Sequence, residues 1–355
     1  MNKEKIIVGL SGGVDSSVAA YLLKEQGYEV IGITMVNFRE QDLPAGQMSS
    51  SENIVRDAGK VAAFLGIEHQ VVDFCTEFQE QVIDYFAKEY LAGRTPNPCV
   101  ICNRKIKWKA MMEMAEKLGA EWIATGHYAQ IVQLANGRYT VKCSVNEKKD
   151  QTYALCHLTQ EQLKRTKMPL GTYRKDEIRK IAAESGIPVA DKPDSMEICF
   201  IPDHDYANFI KKHTGIELPE GNYVNQAGEI LGRHKGIIHY TVGQRKGLNL
   251  AMGHPVFVSE IRPETNEVVI GEQEDIFSDR LECSSLNAMA VPEFTSGMEV
   301  TAKIRHHHKG APAVLEVIGQ DRLLVTFKEP QRAITPGQAV VFYQDHYVAG
   351  GGLID

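Results

Sequence analysis

Near its start the chain runs from a β-branched stretch, Ile6-Ile7-Val8, into Gly9-Leu10-Ser11-Gly12-Gly13-Val14-Asp15-Ser16-Ser17, and then into Val18-Ala19-Ala20-Tyr21-Leu22-Leu23. The first stretch predicts a buried strand, the glycines and hydroxyls a tight loop, and the last a helix packed on a core. Such a loop leaves backbone N–H groups at the positive end of a helix dipole, where phosphate oxygens can accept from them. Glycine lets that backbone come close to an anion, and Ser11, Ser16 and Ser17 can donate further hydrogen bonds. The competing reading is a plain turn with Ser or Asp capping the helix. Against it stands the agreement of glycines, hydroxyls and acid in order as well as in type.

Two familiar phosphate loops are excluded here. A Walker loop needs Lys after its last Gly, and the dinucleotide fingerprint needs Gly-x-Gly-x-x-Gly. Ser-Gly-Gly-Val-Asp-Ser instead resembles the pyrophosphate loop of ATP pyrophosphatases, which cut ATP between the α- and β-phosphates and leave AMP on an oxygen of their substrate. At 355 residues the chain exceeds a single core, so two or three domains are expected. No charged-then-apolar leader opens it and no apolar run approaches a membrane span, so the expectation is a cytoplasmic protein without a membrane partner. Seven cysteines argue against a disulfide scaffold and leave thiol chemistry open. A net charge of −7 places any nucleic-acid contact on local basic patches.

Along the chain, Glu29 to Met35 reads as a second strand, giving a βαβ unit and a parallel sheet whose ligands sit beyond the strands' carboxyl ends. Met35 falls at that edge, where it could pack on an adenine ring or be an ordinary core methionine. Residues 36–51 are polar and long enough to order around a substrate. A helix is expected over 54–65, a strand over His69 to Phe74 and a helix from Phe78 to Leu91. In Gly93-Arg94-Thr95-Pro96-Asn97-Pro98-Cys99-Val100-Ile101-Cys102, the prolines predict a stiff extended loop. Arg104, Lys105 and Lys107 would favour thiolate on the cysteines before them. A helix from Asn103 to Leu118 follows. Trp122 to Ala124 is then a strand that brings Gly126 and His127 to the ligand edge. Asn136-Gly137 signals a hairpin. Lys148-Lys149-Asp150-Gln151 reads as a solvated basic run, and Arg174 to Ser185 as a helix. Cys199, opening an apolar run after a polar loop, would by itself pass for a buried structural thiol.

The combination of SGGVDS, GRTPNP followed by Cys, TGHY, KKDQTYAL and SMEICFI resembles the bacterial tRNA-specific 2-thiouridylases over essentially the whole chain. The resemblance implies ATP and Mg²⁺ as cofactors. It implies adenylation of the C2 oxygen of the wobble uridine, U34, followed by replacement of that oxygen with sulfur. It places the family's cysteine pair on Cys102 and Cys199, and the nucleotide on Gly9, Leu10, Ser11, Gly12, Gly13, Val14, Asp15, Ser16, Met35 and Gly126. The expected tRNA contacts are Asn97, Pro98 and Cys99 at the base, with His127, Lys149, Asp150, Gln151, Arg305, His306 and Gln338. The uridine would be flipped out of the anticodon loop. A sulfur-donor protein, either a cysteine desulfurase or a sulfur-relay protein, would load Cys199 with a persulfide.

Sulfur could reach C2 directly from that persulfide, with Cys102 releasing the product by forming a disulfide, or Cys102 could first liberate hydrosulfide. Both routes need the two thiols to meet. Some relatives carry Asp, proposed as a general base, where this chain has Cys99. Cys99, Cys102 and Cys199 also form a three-thiolate set that could hold a [4Fe-4S] cluster, although spacing alone argues weakly for it. Cys75, Cys143, Cys156 and Cys283 read as core or incidental thiols. Two rivals share part of this pattern: another pyrophosphate-loop adenylating enzyme, and a non-catalytic RNA-binding or iron–sulfur scaffold.

The expected architecture is α/β, with a parallel-sheet nucleotide domain over 1–205, a small β-rich domain over 206–276 and a C-terminal β-barrel over 277–355. Central strands are expected at Gly221 to Val224, Ile237 to Tyr240, Val256 to Ile261 and Val268 to Ile270. Barrel strands are expected at Val300 to Ile304, Val314 to Val317, Leu323 to Phe327 and Ala339 to Phe342. The basic run Gly236 to Gly247 suits RNA backbone contact or plain surface. Lys303 to Lys309 is expected along a strand, so that its successive histidines point apart and make no metal site. No protein-borne metal ligand set is expected.

Overall fold

The computed structural model describes residues 3–38, 50–194, 198–201 and 203–355. Most of the expected loop over 36–51, and Ser195, Met196 and Glu197 of the SMEICFI stretch, lie outside the described residues.

In chain order the first half comprises β1 (Lys5–Gly9), α1 (Val14–Glu25), β2 (Glu29–Val36), α2 (Ser50–Leu65), β3 (Glu68–Asp73), α3 (Cys75–Phe78), α4 (Asp84–Leu91), α5 (Pro98–Cys102), α6 (Trp108–Leu118), β4 (Trp122–Ala124), β5 (Ala129–Gln133), β6 (Tyr139–Cys143), α7 (Gln160–Lys164), β7 (Thr166–Lys167) and α8 (Lys175–Glu184). Five strands form one parallel sheet in the order β3-β2-β1-β4-β7. Ile6, Ile7 and Val8 of β1 are fully buried, as a central strand covered on both faces requires. Strands are added on one side of β1 up to β3 and on its other side from β4, so the switch point that holds ligands in such sheets opens between β1 and β4, where the glycine loop lies.

Two expected helices are interrupted. Gln79–Ile83 and Asn103–Lys107 are each a widened turn with hydrogen bonds five residues apart, so α4 and α6 begin later than periodicity suggests. Pro96-Asn97-Pro98 is less a loop than a helix start. Pro98 takes the first position of α5, and the Asn97 side chain accepts from the N–H groups of Cys99 at 3.1 Å and Val100 at 3.4 Å. Both Cys99 and Cys102 therefore ride on a helix.

The second half holds α9 (Tyr206–Thr214), β8 (Gly221–Val224), β9 (Ile230–His234), β10 (Phe257–Arg262), β11 (Glu267–Gly271), β12 (Phe277–Ala288), β13 (Met298–Lys303), β14 (Ala311–Gly319), β15 (Arg322–Arg332), β16 (Ala339–Gln344) and β17 (Tyr347–Ile354). A four-stranded sheet has the order β10-β11-β8-β9. Ile237–His239, expected in a strand, is a single 3₁₀ turn that buries Ile237 in that sheet's core and Ile238 in the helical cluster around Phe200 and Phe209. The barrel runs β12-β15-β14-β13-β16-β17 and closes through β12–β17 pairing. Its sheet also takes in the Asn136-Gly137 hairpin, because β6 pairs with β17 through Lys142 and Tyr347. One core accordingly runs from Ile7 and Ile123 through Trp108 and Met111 to Val341 and Val348.

Strand β13 stops at Lys303, and Arg305 to His307 form a bend and turn. The strand alternation expected of Lys303 to Lys309 is therefore absent. Among the described residues no helix is long and apolar enough to cross a membrane.

Candidate functional site

The glycine loop joins β1 to α1 at the switch point. Gly12 has φ +64°, and a Cβ there would lie 2.8 Å from the Ile54 carbonyl oxygen, so only glycine fits. Gly13 caps α1 with its backbone alone. The hydroxyls divide their work differently from the expectation. Ser17 is fully buried and donates to the Gly13 carbonyl at 2.7 Å, which removes it from any ligand. Ser16 accepts from the Ser11 N–H at 3.1 Å and so closes the loop on itself. At Gly126 a Cβ would sit 2.7 Å from the Ser16 nitrogen, so this glycine lets the β4 edge press against the first turn of α1.

A ring of charges surrounds the loop. Lys175, first residue of α8, donates to both oxygens of Asp15 at 2.7 and 2.8 Å and to Asp194 at 2.8 Å. The Tyr128 hydroxyl donates to Asp15 at 2.7 Å. Asp194 also accepts from Lys149 and Arg179, each at 2.8 Å. Burial would raise its pKa, but these cations outweigh that and hold it at about 2. Lys192 donates to the Gly12 carbonyl at 2.9 Å and to Asp57 at 3.0 Å. Lys175, Arg179 and Lys192 were not singled out from the sequence. Lys175 and Arg179 do lie four apart on one helix face, a spacing that marks a solvated helix just as often.

The β4 edge leads from this ring to the cysteines. His127, next to Gly126, packs its ring 5.5 Å from Trp108 and pairs its Nδ1 with the Thr125 hydroxyl at 2.8 Å. Burial, and then the charge of Lys107, hold its imidazole well below the usual range, so it is neutral. Cys102, Cys99 and Cys199 all feel Lys107, and Cys199 feels both other sulfurs. Cys199 thus shares an electrostatic neighbourhood with Cys102, 97 positions earlier in the chain, and with Lys107, whose charge His127 also feels.

The thiolate expected from nearby cations is not what forms here. Burial raises the pKa of Cys99 and Cys102 and pushes Cys199 up to about 12, and Lys107 only partly offsets this. Desolvation of a charge outweighs one flexible ammonium. Cys99 and Cys199 nevertheless keep a solvent-accessible face. All seven cysteines are free thiols, so the Cys102–Cys199 disulfide expected in the cycle is not present in this state. Among the described residues no three His, Cys, Asp or Glu side chains are grouped to hold a metal. Cys99, Cys102 and Cys199 are thus not grouped as a ligand trio for a [4Fe-4S] cluster.

The remaining expected contacts fall into two groups. Lys149 to Gln151 and the barrel turn meet, since the His306 ring is hydrogen-bonded to the Asp150 backbone and lies 6.0 Å from Tyr153. Within that group Asp150 accepts from Ser144 and Thr152, and Gln151 accepts from the Tyr128 N–H at 2.9 Å, so both shape the chain. Arg305 donates to the Arg332 carbonyl at 3.0 Å. Gln338 belongs elsewhere, donating to the Thr95 carbonyl at 2.7 Å. There the Asn97 segment is also tied down by Thr95 N–H to Pro336 and Arg94 to the Ile354 carbonyl, both at 2.8 Å. Met35, half-buried at the end of β2, packs against two cores at once.

A glycine-hydroxyl loop at the switch point of a parallel sheet, followed by a small β-rich unit and a closed barrel, defines a nucleotide-binding α/β protein of the pyrophosphate-loop class. Three family profiles match it in succession: the tRNA methyl transferase HUP domain over residues 4–203, the tRNA methyl transferase PRC-barrel domain over 207–272 and the aminomethyltransferase beta-barrel domain over 278–354. A tRNA-specific 2-thiouridylase of Lachnoclostridium phytofermentans is 56% identical over 354 residues, covering 99% of each chain. The Clostridium kluyveri protein of that name is 51% identical over 354 residues, again 99% of each. That of Clostridioides difficile is 49% identical over 359 residues, 100% of this chain and 99% of its own. The chain belongs to the tRNA-specific 2-thiouridylase family.

Proposed function

We propose that this protein is an ATP-dependent, sulfur-transferring enzyme that converts the wobble uridine of tRNA to 2-thiouridine. A uracil C2 oxygen is a poor leaving group. Transfer of AMP to it from ATP releases pyrophosphate and makes it a phosphate ester that can depart. The N–H groups around Gly12 and Gly13 would take up the polyphosphate, and Gly126 and Met35 would border the adenosine. Asp15 supplies hard oxygen donors that would suit Mg²⁺, which when bound offsets charge on the leaving pyrophosphate.

Sulfur then replaces oxygen. The terminal sulfur of a Cys199 persulfide bonds to C2, AMP leaves with the oxygen, and Cys102 attacks the Cys199 sulfur. The sulfur–sulfur bond breaks to leave 2-thiouridine and a Cys102–Cys199 disulfide. Prior release of hydrosulfide by Cys102 ends in the same disulfide. A cytoplasmic reductant returns the free thiols, and a cysteine desulfurase or relay protein reloads Cys199. Asn97, Pro98, Cys99 and His127 border the base in this reading. Lys149, Arg305, His306 and Gln338 lie on the tRNA side, with 1–205, 206–276 and 277–355 as catalytic, linking and tRNA-binding units.

The observation that supports this reading is that Cys102, Cys99 and Lys107 all act on Cys199, while Lys107 also acts on His127, next to the Gly126 that presses on the loop's helix. Cys199→Ser is expected to retain tRNA-dependent AMP formation while nucleoside analysis detects no 2-thiouridine. Thiolation by that variant would remove Cys199 from the reaction.

A further inference from the structure

Lys175 occupies an unusual place for a lysine. Its side chain is only 14% exposed, and its ammonium lies between Asp15 on the phosphate loop's helix and Asp194, with the Tyr128 ring centroid 5.7 Å away. Buried ion pairs contribute little net stability, because desolvating both partners costs about as much as their attraction returns. Asp194 does not need Lys175, since Lys149 and Arg179 also bond it. Asp15 depends on it, because among the described residues Lys175 is the one cation paired with that carboxylate.

An incoming triphosphate would meet the negative charge of Asp15 in the first turn of α1. Lys175 cancels that charge in the Asp15 pair. A divalent cation arriving with the nucleotide would compete for the same two oxygens and displace the ammonium. Asp194 would keep the displaced group beside the loop, and the four-carbon stem lets Nζ swing while α8 stays fixed.

We propose that Lys175 is a movable cation of the nucleotide site: it shields Asp15 while the site is empty, and turns from Asp15 to the phosphoryl oxygens when Mg²⁺ and nucleotide enter. This rests on the ATP reading above. It assigns a phosphate-contacting role to a residue that the sequence motifs leave out.

Calorimetric titration with a non-hydrolysable α,β-methylene analogue of ATP plus Mg²⁺, and separately with adenosine, tests it on the full chain. Lys175→Ala is expected to bind the analogue at least tenfold more weakly and adenosine within twofold of the unaltered protein. Equal losses for both ligands, or no loss for either, would overturn the proposal. A double variant separates contact from simple charge cancellation. If Lys175 only neutralised Asp15, D15N and D15N/K175A would bind the analogue alike, and that result also rejects the proposal. A further loss of at least fivefold in the double variant supports it. Failure of the unaltered protein to bind the analogue would instead strike the ATP reading itself.

Discussion

The glycine loop and the cysteines proposed for sulfur transfer are built on opposite principles. Around the loop, charges are ionised and paired. Lys175 reaches Asp15 across 160 positions and Lys192 reaches the Gly12 carbonyl across 180, and Asp194 is held ionised by three cations. At the cysteines proposed for sulfur transfer the groups are stored uncharged. Cys99, Cys102 and Cys199 are protonated because burial opposes the thiolate, and His127 is neutral for the same reason. The lesson is that anion binding is preorganised while nucleophilicity is withheld. A protonated thiol is a weak nucleophile even where, as at Cys99 and Cys199, solvent reaches it.

The contrast can be broken most severely at Gly126, where the two regions touch. Gly126→Ala inserts a Cβ at 2.7 Å from the Ser16 nitrogen and must push α1 from the β4 edge. We expect nucleotide affinity to fall about 100-fold, close to 3 kcal/mol, with circular dichroism unchanged. Unaltered affinity in calorimetry would mean that the loop does not depend on this close approach.

The pH response sharpens the same comparison. With the folded pKa of Cys102 above its usual value, the thiolate fraction at neutral pH is small and grows as pH rises. Single-turnover thiolation should therefore rise roughly tenfold per unit between about pH 6 and 8. Asp194 is held at about 2 and Asp57 below its ordinary value, so both stay ionised throughout that window. Their contribution to stability is complete above the ordinary carboxylate range and fades only as pH falls through their lowered values. Nucleotide affinity should thus stay flat where the sulfur step is steep, and parallel profiles would refute the division.

The smallest effect is expected at the seam with the barrel. Gln338→Ala removes one hydrogen bond to the Thr95 carbonyl, about 1 kcal/mol. tRNA affinity measured by filter binding should drop a few-fold while nucleotide affinity is unmoved. A loss of both would place Gln338 in support of the entire fold.

Much of the fold was legible because its causes are local. The Ile6-Ile7-Val8 run, the glycines after it and the Asn136-Gly137 turn dictate strand, loop and hairpin wherever they occur. The two widened turns were not legible, since a residue inserted into a helix leaves the hydrophobic spacing almost intact. Nor was the stop of β13 at Lys303, or the passage of the 129–143 hairpin into the barrel sheet, because pairing partners are chosen by docking. In the site, the loop residues and the cysteine pair could be named from their motifs. Lys175, Arg179 and Lys192 carry no motif.

By itself the sequence determined the phosphate-loop geometry, the parallel sheet behind it and the identity of the thiols, all of which follow from neighbours within a few residues. Only the tertiary structure decided that Cys199 feels Cys102 and Lys107, that Asp15 is held by Lys175, and that burial raises the pKa of the thiols. Each of those depends on charge and burial contributed by segments roughly a hundred or more positions apart, and such proximity exists only once the layers have packed.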